Sequence, residues 1–235
     1  MDPVQNTAVL LSRHSLPAES EHRWRKFNLL HGLGDLRHRY LAQRHGPTAA
    51  NQQGLYLGED RENLFTSQVL PDGHGKLRAS VEGAAANGLL DERTIIVCSD
   101  FIRSMQSALT AAEVLGSRRI ILSPLLRERG CGDLRGRWSD MFPEVEELDR
   151  IDPEHRTFGV ESVCSVSERF SGLIQTLEAK YPEEERTFLF AAHCELIQIG
   201  ACVFAFDHPG HYTRFGMVDN GEIVHYQPGR GASRV

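Results

Sequence analysis

The chain has few means of covalent cross-linking and none of the usual marks of a membrane protein. Its five cysteines, Cys98, Cys131, Cys164, Cys194 and Cys202, are odd in number and never stand at C-x-x-C spacing. A disulfide framework or a structural zinc site is therefore not expected, and a reducing, cytoplasmic setting is. The richest apolar runs, residues 94–98 and 199–206, fall far short of the roughly 20 residues a helix needs to cross a bilayer. The start Met1-Asp2-Pro3 lacks the basic and apolar regions of a signal peptide. Acidic residues outnumber basic ones, 32 to 26. The formal net charge is −6 and the pI about 6.0, which argues against a nucleic-acid partner but not against an anionic substrate gathered in a local cleft. There is no Walker-type loop, no H-E-x-x-H and no carboxylate cluster, so neither a metal nor another cofactor is expected. Internal repeats and low-complexity tracts are absent too.

What remains is a chain of 235 residues, 40% of them hydrophobic, enough for one sizeable core. Residues 1–35 read as a charged, histidine-rich N-terminal extension, with a short strand at 8–11 leading into Arg13-His14. Residues 36–235 read as a single domain. Within it, the continuous β-branched run at 94–98 and the run at 187–192 read as strands buried on both faces. Shorter strands are expected at 40–44, at 119–122 and, last in the chain, at 222–226. Helical spacing marks a helix from Lys76 to Asn87-Gly88. A second begins at an N-cap formed by Ser99 or Asp100 and stops at Gly116, with Ile102, Met105, Leu109, Ala112 and Leu115 along one face. A third, over 162–181, carries Val163, Val166, Phe170, Ile174 and Leu177 as its stripe. Residues 123–157 read as loop-rich. Strands alternating with helices predict an α/β fold, a three-layer α/β/α sandwich on a mostly parallel sheet.

Ligands of such sheets bind beyond the carboxyl ends of the strands, and three strand ends here carry groups suited to phosphate: Arg44-His45, Ser99 with Arg103, and His193. A neutral imidazole can attack phosphorus if its second nitrogen is held by an acceptor. An adjacent guanidinium offers a fork of donors to phosphoryl oxygens. Gly46 is expected to permit the turn and a close approach of substrate to the backbone. Arg13-His14 is a rival pair, but no glycine, threonine or asparagine continues it in the same way.

The stretch Arg44-His45-Gly46-Pro47-Thr48-Ala49-Ala50-Asn51, of pattern R-H-G-x-T-x-x-N, resembles the signature of the histidine phosphatase superfamily, the phosphoglycerate-mutase-like enzymes. Ser99 to Ala108 resembles that family's S-x-x-x-R-x-x-Q-T-A block, with Ser107 in place of threonine. Leu126-Arg127-Glu128 looks like its L-x-E block, Gly159-Val160-Glu161-Ser162 like its G-x-E-S segment, and His193-Cys194 like its second histidine, with Cys194 where glycine is usual.

The resemblance implies a metal-independent phosphatase working through a phosphohistidine on a small phosphorylated metabolite, with inorganic phosphate as product. In that reading His45 is the nucleophile and Glu128 the proton donor. Arg44, Arg103 and a protonated His193 stabilise the phosphoryl oxygens, and Asn51, Thr48, Ser99 and Cys194 contribute to substrate binding. The alternatives are a phosphoglycerate-type mutase, disfavoured because Arg129-Gly130-Cys131-Gly132 does not follow the mutases' R-H-Y-G continuation, and a weakly active scaffold. Arg129, Arg135 and Arg137 are candidates for a second anion, and Tyr56, Phe65, Trp138 and Phe142 for covering the pocket. The pair His208 and His211 is expected on a loop or surface rather than on a metal.

Overall fold

A computed structural model describes residues 23–55, 67–135 and 138–235, apart from the side chains of Trp138 and Ser139. The expected strand at 8–11, the pair Arg13-His14, and Tyr56, Phe65 and Arg137 lie outside the described residues.

Six strands form one sheet: β1 (Arg39–Arg44), β2 (Ile95–Cys98), β3 (Ile120–Leu122), β4 (Thr187–Ala192), β5 (Ile223–Gln227) and β6 (Gly231–Arg234), in the spatial order β3-β2-β4-β1-β5-β6. The pairings β3–β2, β2–β4 and β4–β1 are parallel; β1–β5 and β5–β6 are antiparallel. The strand expected to be last is therefore followed by another, β6, which closes the edge as a hairpin. Central strands β2 and β4 are buried on both faces, as their continuous apolar runs require.

Alternation along the strands sorts two cores. Tyr40, Ala42, Ile95, Val97, Phe188 and Phe190 point to one face. There they meet the helices α5 (Val163–Lys180) and α6 (Cys194–Ala205). Leu41, Ile96, Cys98, Leu189 and Ala191 point to the other. That face is covered by α2 (Gly73–Ala86) and α3 (Ile102–Leu115). The period-two switch of side chains in a strand makes this a three-layer sandwich.

The stripe expected for α5 is buried at all five positions. Ser162 caps this helix, its hydroxyl accepting from the Ser165 amide at 3.2 Å. Helix α3 departs from expectation in two ways. Its N-cap is Phe101, while the Ser99 hydroxyl accepts from the Phe101 amide at 3.2 Å and shapes the turn before it. Its buried face carries Arg103, Ser104, Ser107, Ala108 and Ala111, leaving Leu109 60% exposed. Gly116 ends it in the left-handed conformation, as expected.

Two of the longer helices were not foreseen. Helix α4 (Trp138–Ile151) occupies the stretch expected to be loop-rich. Helix α6 follows β4 directly, with His193 as its N-cap.

The described part of the expected N-terminal extension is tied to the domain. Leu30 belongs to the core beside α5, and the Asn28 side-chain amide donates to the Val203 carbonyl at 2.8 Å. Trp24 packs edge-on against His208, which lies away from the pocket described below. Among the described residues no helix is long and apolar enough to cross a membrane.

Candidate active site

β1 and β4 run side by side, so their ends deliver His45 and His193 to one spot, with ring centroids 5.2 Å apart. Nδ1 of His45 lies 2.7 Å from the carbonyl oxygen of Gly46, an acceptor only. That contact places the proton on Nδ1 and leaves the lone pair on Nε2. Burial first, then the charges of Arg103 and Arg44, hold the His45 pKa well below 6.5, so the ring is neutral at neutral pH.

The loop around His45 is fixed from three sides. The Gly46 amide donates to the Ser107 hydroxyl at 3.0 Å, which in turn donates to the Arg103 carbonyl at 2.7 Å. The Asn220 amide group donates to the His45 carbonyl at 3.0 Å and to Asn51 Oδ1 at 3.2 Å. Asn51 and Thr48 form a reciprocal capping box on the short helix α1 (Ala49–Gln52). Gly46 is not in the left-handed region. A Cβ there would stand 2.7 Å from Val69 and 2.9 Å from Leu77. Close packing under the loop, rather than a turn or the approach of a substrate, requires glycine at this position.

A cavity of about 490 Å³ opens over these groups, lined by Arg44, His45, Thr48, Asn51, Arg103, Glu128 and Cys194 among others. Arg44 is anchored by a 2.7 Å bond from Nη1 to the Val218 carbonyl, and its buried Nε has no hydrogen-bond partner among the described residues. Arg103 stacks on Phe101, whose ring also meets His193 edge-on. Both ring nitrogens of His193 are likewise buried without a partner among the described residues.

Burial and the neighbouring Arg103 hold the His193 pKa well below 6.5. These surroundings favour the neutral ring, against the expectation of a protonated His193. A bound dianion would offset the arginine field and favour its protonation.

Glu128 is buried, not the surface member of a charge run that Arg-Glu-Arg suggests. Its Oε1 accepts from the amides of Arg129 and Leu196, each at 3.1 Å, and its Oε2 from that of Glu195 at 3.4 Å. Those amides and the nearby arginines favour the carboxylate, but the larger effect of burial raises its pKa above the usual 4.5. A carboxyl that keeps its proton above the ordinary range can donate it.

Ser99, expected among the substrate ligands, is fully buried, lies outside the cavity lining and serves the turn before α3. Cys194 does reach the lining, and burial raises its thiol to about 11, so it stays protonated. Arg129 cannot recognise a second anion: it is fully buried and clamped to Asp149. Phe142 lines the cavity as expected. Asn220 and Ser107 were not foreseen as parts of the site. The offset of Asn220 from β5 shows only once β5 pairs with β1 and brings its loop back to His45.

The mycobacterial glucosyl-3-phosphoglycerate phosphatase, solved with VO3, is 22% identical to this chain, with a TM-score of 0.67 over 84% of this chain and 97% of that one. The same enzyme with inorganic phosphate gives 22% identity and 0.64 over 84% and 95%. A Thermus thermophilus protein gives 23% identity and 0.55 over 84% and 98%. At these identities the likeness is one of fold. No curated protein sequence matches the chain. Residues 40–235, which hold every group described around His45, match the family model "Histidine phosphatase superfamily (branch 1)", and it is to this superfamily that the chain belongs.

Proposed function

We propose that the protein is a metal-independent phosphomonoester hydrolase acting through a phosphohistidine at His45 on a small phosphorylated metabolite. The observation that carries this reading is the neutral His45 ring, with its Nδ1 proton committed to the Gly46 carbonyl and Arg44 and Arg103 beside it.

His45 Nε2 attacks phosphorus and forms a P–N bond as the P–O ester bond breaks. Glu128 gives its proton to the departing alkoxide. Arg44, Arg103 and His193 meet the charge on the phosphoryl oxygens. Water then attacks the phosphohistidine, Glu128 takes a proton from it, the P–N bond breaks and phosphate leaves.

This cycle needs His45 unprotonated and Glu128 protonated. The lowered pKa of the first and the raised pKa of the second support an optimum on the acid side of neutrality, an acid-type phosphatase. The relatives solved with VO3 and with phosphate are phosphatases of the same fold. The buried free thiols of Cys98, Cys164, Cys194 and Cys202 support a cytoplasmic location.

The test is phosphate release from p-nitrophenyl phosphate in EDTA, together with trapping of a radiolabelled phosphoenzyme. Activity that resists EDTA, with a label lost in His45→Ala and kept in His14→Ala, is the expected result. Loss of activity in His14→Ala, or an unlabelled active enzyme, would reject it.

A further inference from the structure

Several polar groups around the cavity at His45 already have work in the site. Arg44 and Arg103 act on His45, Thr48 and Asn51 bond each other, and Asn220 holds the His45 loop. Gln198 has no such task. It lines the same cavity and is only 4% exposed.

Gln198 follows Cys194 by four residues on α6, so the two side chains share one face of the helix. Their contact is weak. Cys194 Sγ lies 3.9 Å from Gln198 Oε1 and 3.8 Å from the Val218 carbonyl, and one thiol proton cannot serve both. No other hydrogen bond reaches the Gln198 carboxamide from the described residues. Its buried neighbours on the helix, Ile197, Ile199 and Ala201, are apolar. A carboxamide offers two donors and an acceptor, and a buried one is normally satisfied. Leaving it short of partners is unfavourable, and a ligand in the cavity would relieve that cost.

Gln198 also borders a smaller cavity of about 90 Å³. Cys194 lines the larger one alone, so the carboxamide oxygen beside its thiol marks the side facing the main cavity. Arg44 is near on that side, its Nη1 donating at 2.7 Å to the Val218 carbonyl that Cys194 approaches. Glu128 is near as well, its carboxylate bound to the amides of Glu195 and Leu196 at the start of the same helix. Gln198 thus stands beside both the phosphate arginine and the proton donor for the leaving oxygen.

We infer that Gln198 is a specificity-determining residue whose carboxamide hydrogen-bonds a hydroxyl on the alcohol part of the phosphate ester. A hydroxyl both donates and accepts, so it satisfies a carboxamide in either orientation. The inference rests on the hydrolase reading and adds one recognised feature of the alcohol.

The test is calorimetry on the full chain with hydroxyethyl-, hydroxypropyl- and hydroxybutylphosphonate, hydroxylated at the chain end. Each is paired with the alkylphosphonate that carries a methyl group in place of the hydroxyl. At one chain length or more the hydroxyl is expected to tighten binding about fivefold to tenfold. In Gln198→Met that gain is expected to fall below about twofold, while inorganic phosphate changes by less than about twofold. No hydroxyl preference at any length in the parent protein, or a preference that survives Gln198→Met, overturns the proposal. Loss of inorganic phosphate binding in Gln198→Met marks a structural residue and overturns it too. Hydroxyl selectivity that depends on Gln198, with no phosphate released from the matching hydroxyalkyl phosphate, leaves this role standing and rejects the hydrolase reading instead.

Discussion

Arg129 and Asp149 form a fully buried two-pronged pair, with Nη1 2.6 Å from Oδ2 and Nη2 2.7 Å from Oδ1. Asp149 is otherwise an acidic position on α4, a helix with several exposed carboxylates. The pair pins α4 to the loop that carries Glu128, and His155 and the Tyr212 hydroxyl complete the shell of Asp149 at 2.8 and 3.0 Å. Removing one partner strands the other's charge in the interior. Asp149→Ala is therefore expected to cost about 3–5 kcal/mol, read from urea unfolding. The double replacement Arg129→Met with Asp149→Leu is expected to recover part of that loss, because the stranded guanidinium is gone, although buried Glu195 also loses its 3.4 Å contact with Arg129. A double variant no more stable than Asp149→Ala would contradict the assignment.

Glu128 yields a prediction that depends on the leaving group. Glu128→Gln keeps the shape of the side chain but has no proton to give. An alkyl phosphate, whose alkoxide needs protonation, is expected to lose about 10²–10⁴ in kcat. p-Nitrophenyl phosphate, whose phenolate leaves unaided, is expected to lose far less. Equal losses on both esters would remove Glu128 from the proton-donor role.

The two central histidines tie stability to pH. Their folded pKa values lie well below 6.5, so below pH 6.5 the unfolded chain binds more protons than the native one and stability falls as pH drops. The stabilisation is complete above about 6.5, and each ring contributes a slope of roughly 1.4 kcal/mol per pH unit below it. Glu128 works in the opposite sense: its raised pKa makes the native form the better proton binder above 4.5, so its contribution is lost as pH rises. Comparing His193→Asn with the parent isolates one histidine. The variant is expected to lose one such slope between pH 6.5 and 5.5, and parallel stability curves would contradict the neutral, buried ring.

Two glycines should respond in opposite directions. Gly46→Ala forces a methyl group into Val69 and Leu77 and is expected to destabilise by about 1–3 kcal/mol. Gly83, exposed within α2 and with nothing near its would-be Cβ, is expected to gain about 0.5–1 kcal/mol on change to alanine. Thermal or urea midpoints of the two variants decide the matter, and shifts of the same sign would contradict the packing described.

The parts of the fold that were legible in the sequence are those where burial follows a regular period. The run at Ile95–Cys98 and the five-residue stripe of α5 have only one way to hide their side chains. α3 misled because its inward face serves the site: Arg103, Ser104 and Ser107 are buried there for their hydrogen bonds and charge, while Leu109 faces out. α6 is buried nearly all round, so it shows no period to read. α4 hides its helical spacing behind Pro143 and a series of acidic residues, and its deepest polar residue, Asp149, makes sense only once Arg129 is found inside. The positions of His45, Arg103 and His193 were legible because strand ends in a parallel sheet converge. Asn220 was not, because its contact depends on a strand pairing across 175 residues of sequence.

The residues that line the cavity have separate origins in the fold. The charged groups stand at strand ends or on the helices packed behind them, and the Glu128 carboxylate is bound to the amides that open α6, the helix capped by His193. Leu55 and Met217 sit on connecting segments outside the sheet, and Phe142 on α4. The lining of the cavity is therefore built from different pieces of chain. Substitution at residues 55, 142 or 217 alters the lining of the cavity without touching the strand ends that hold Arg44, His45 and His193.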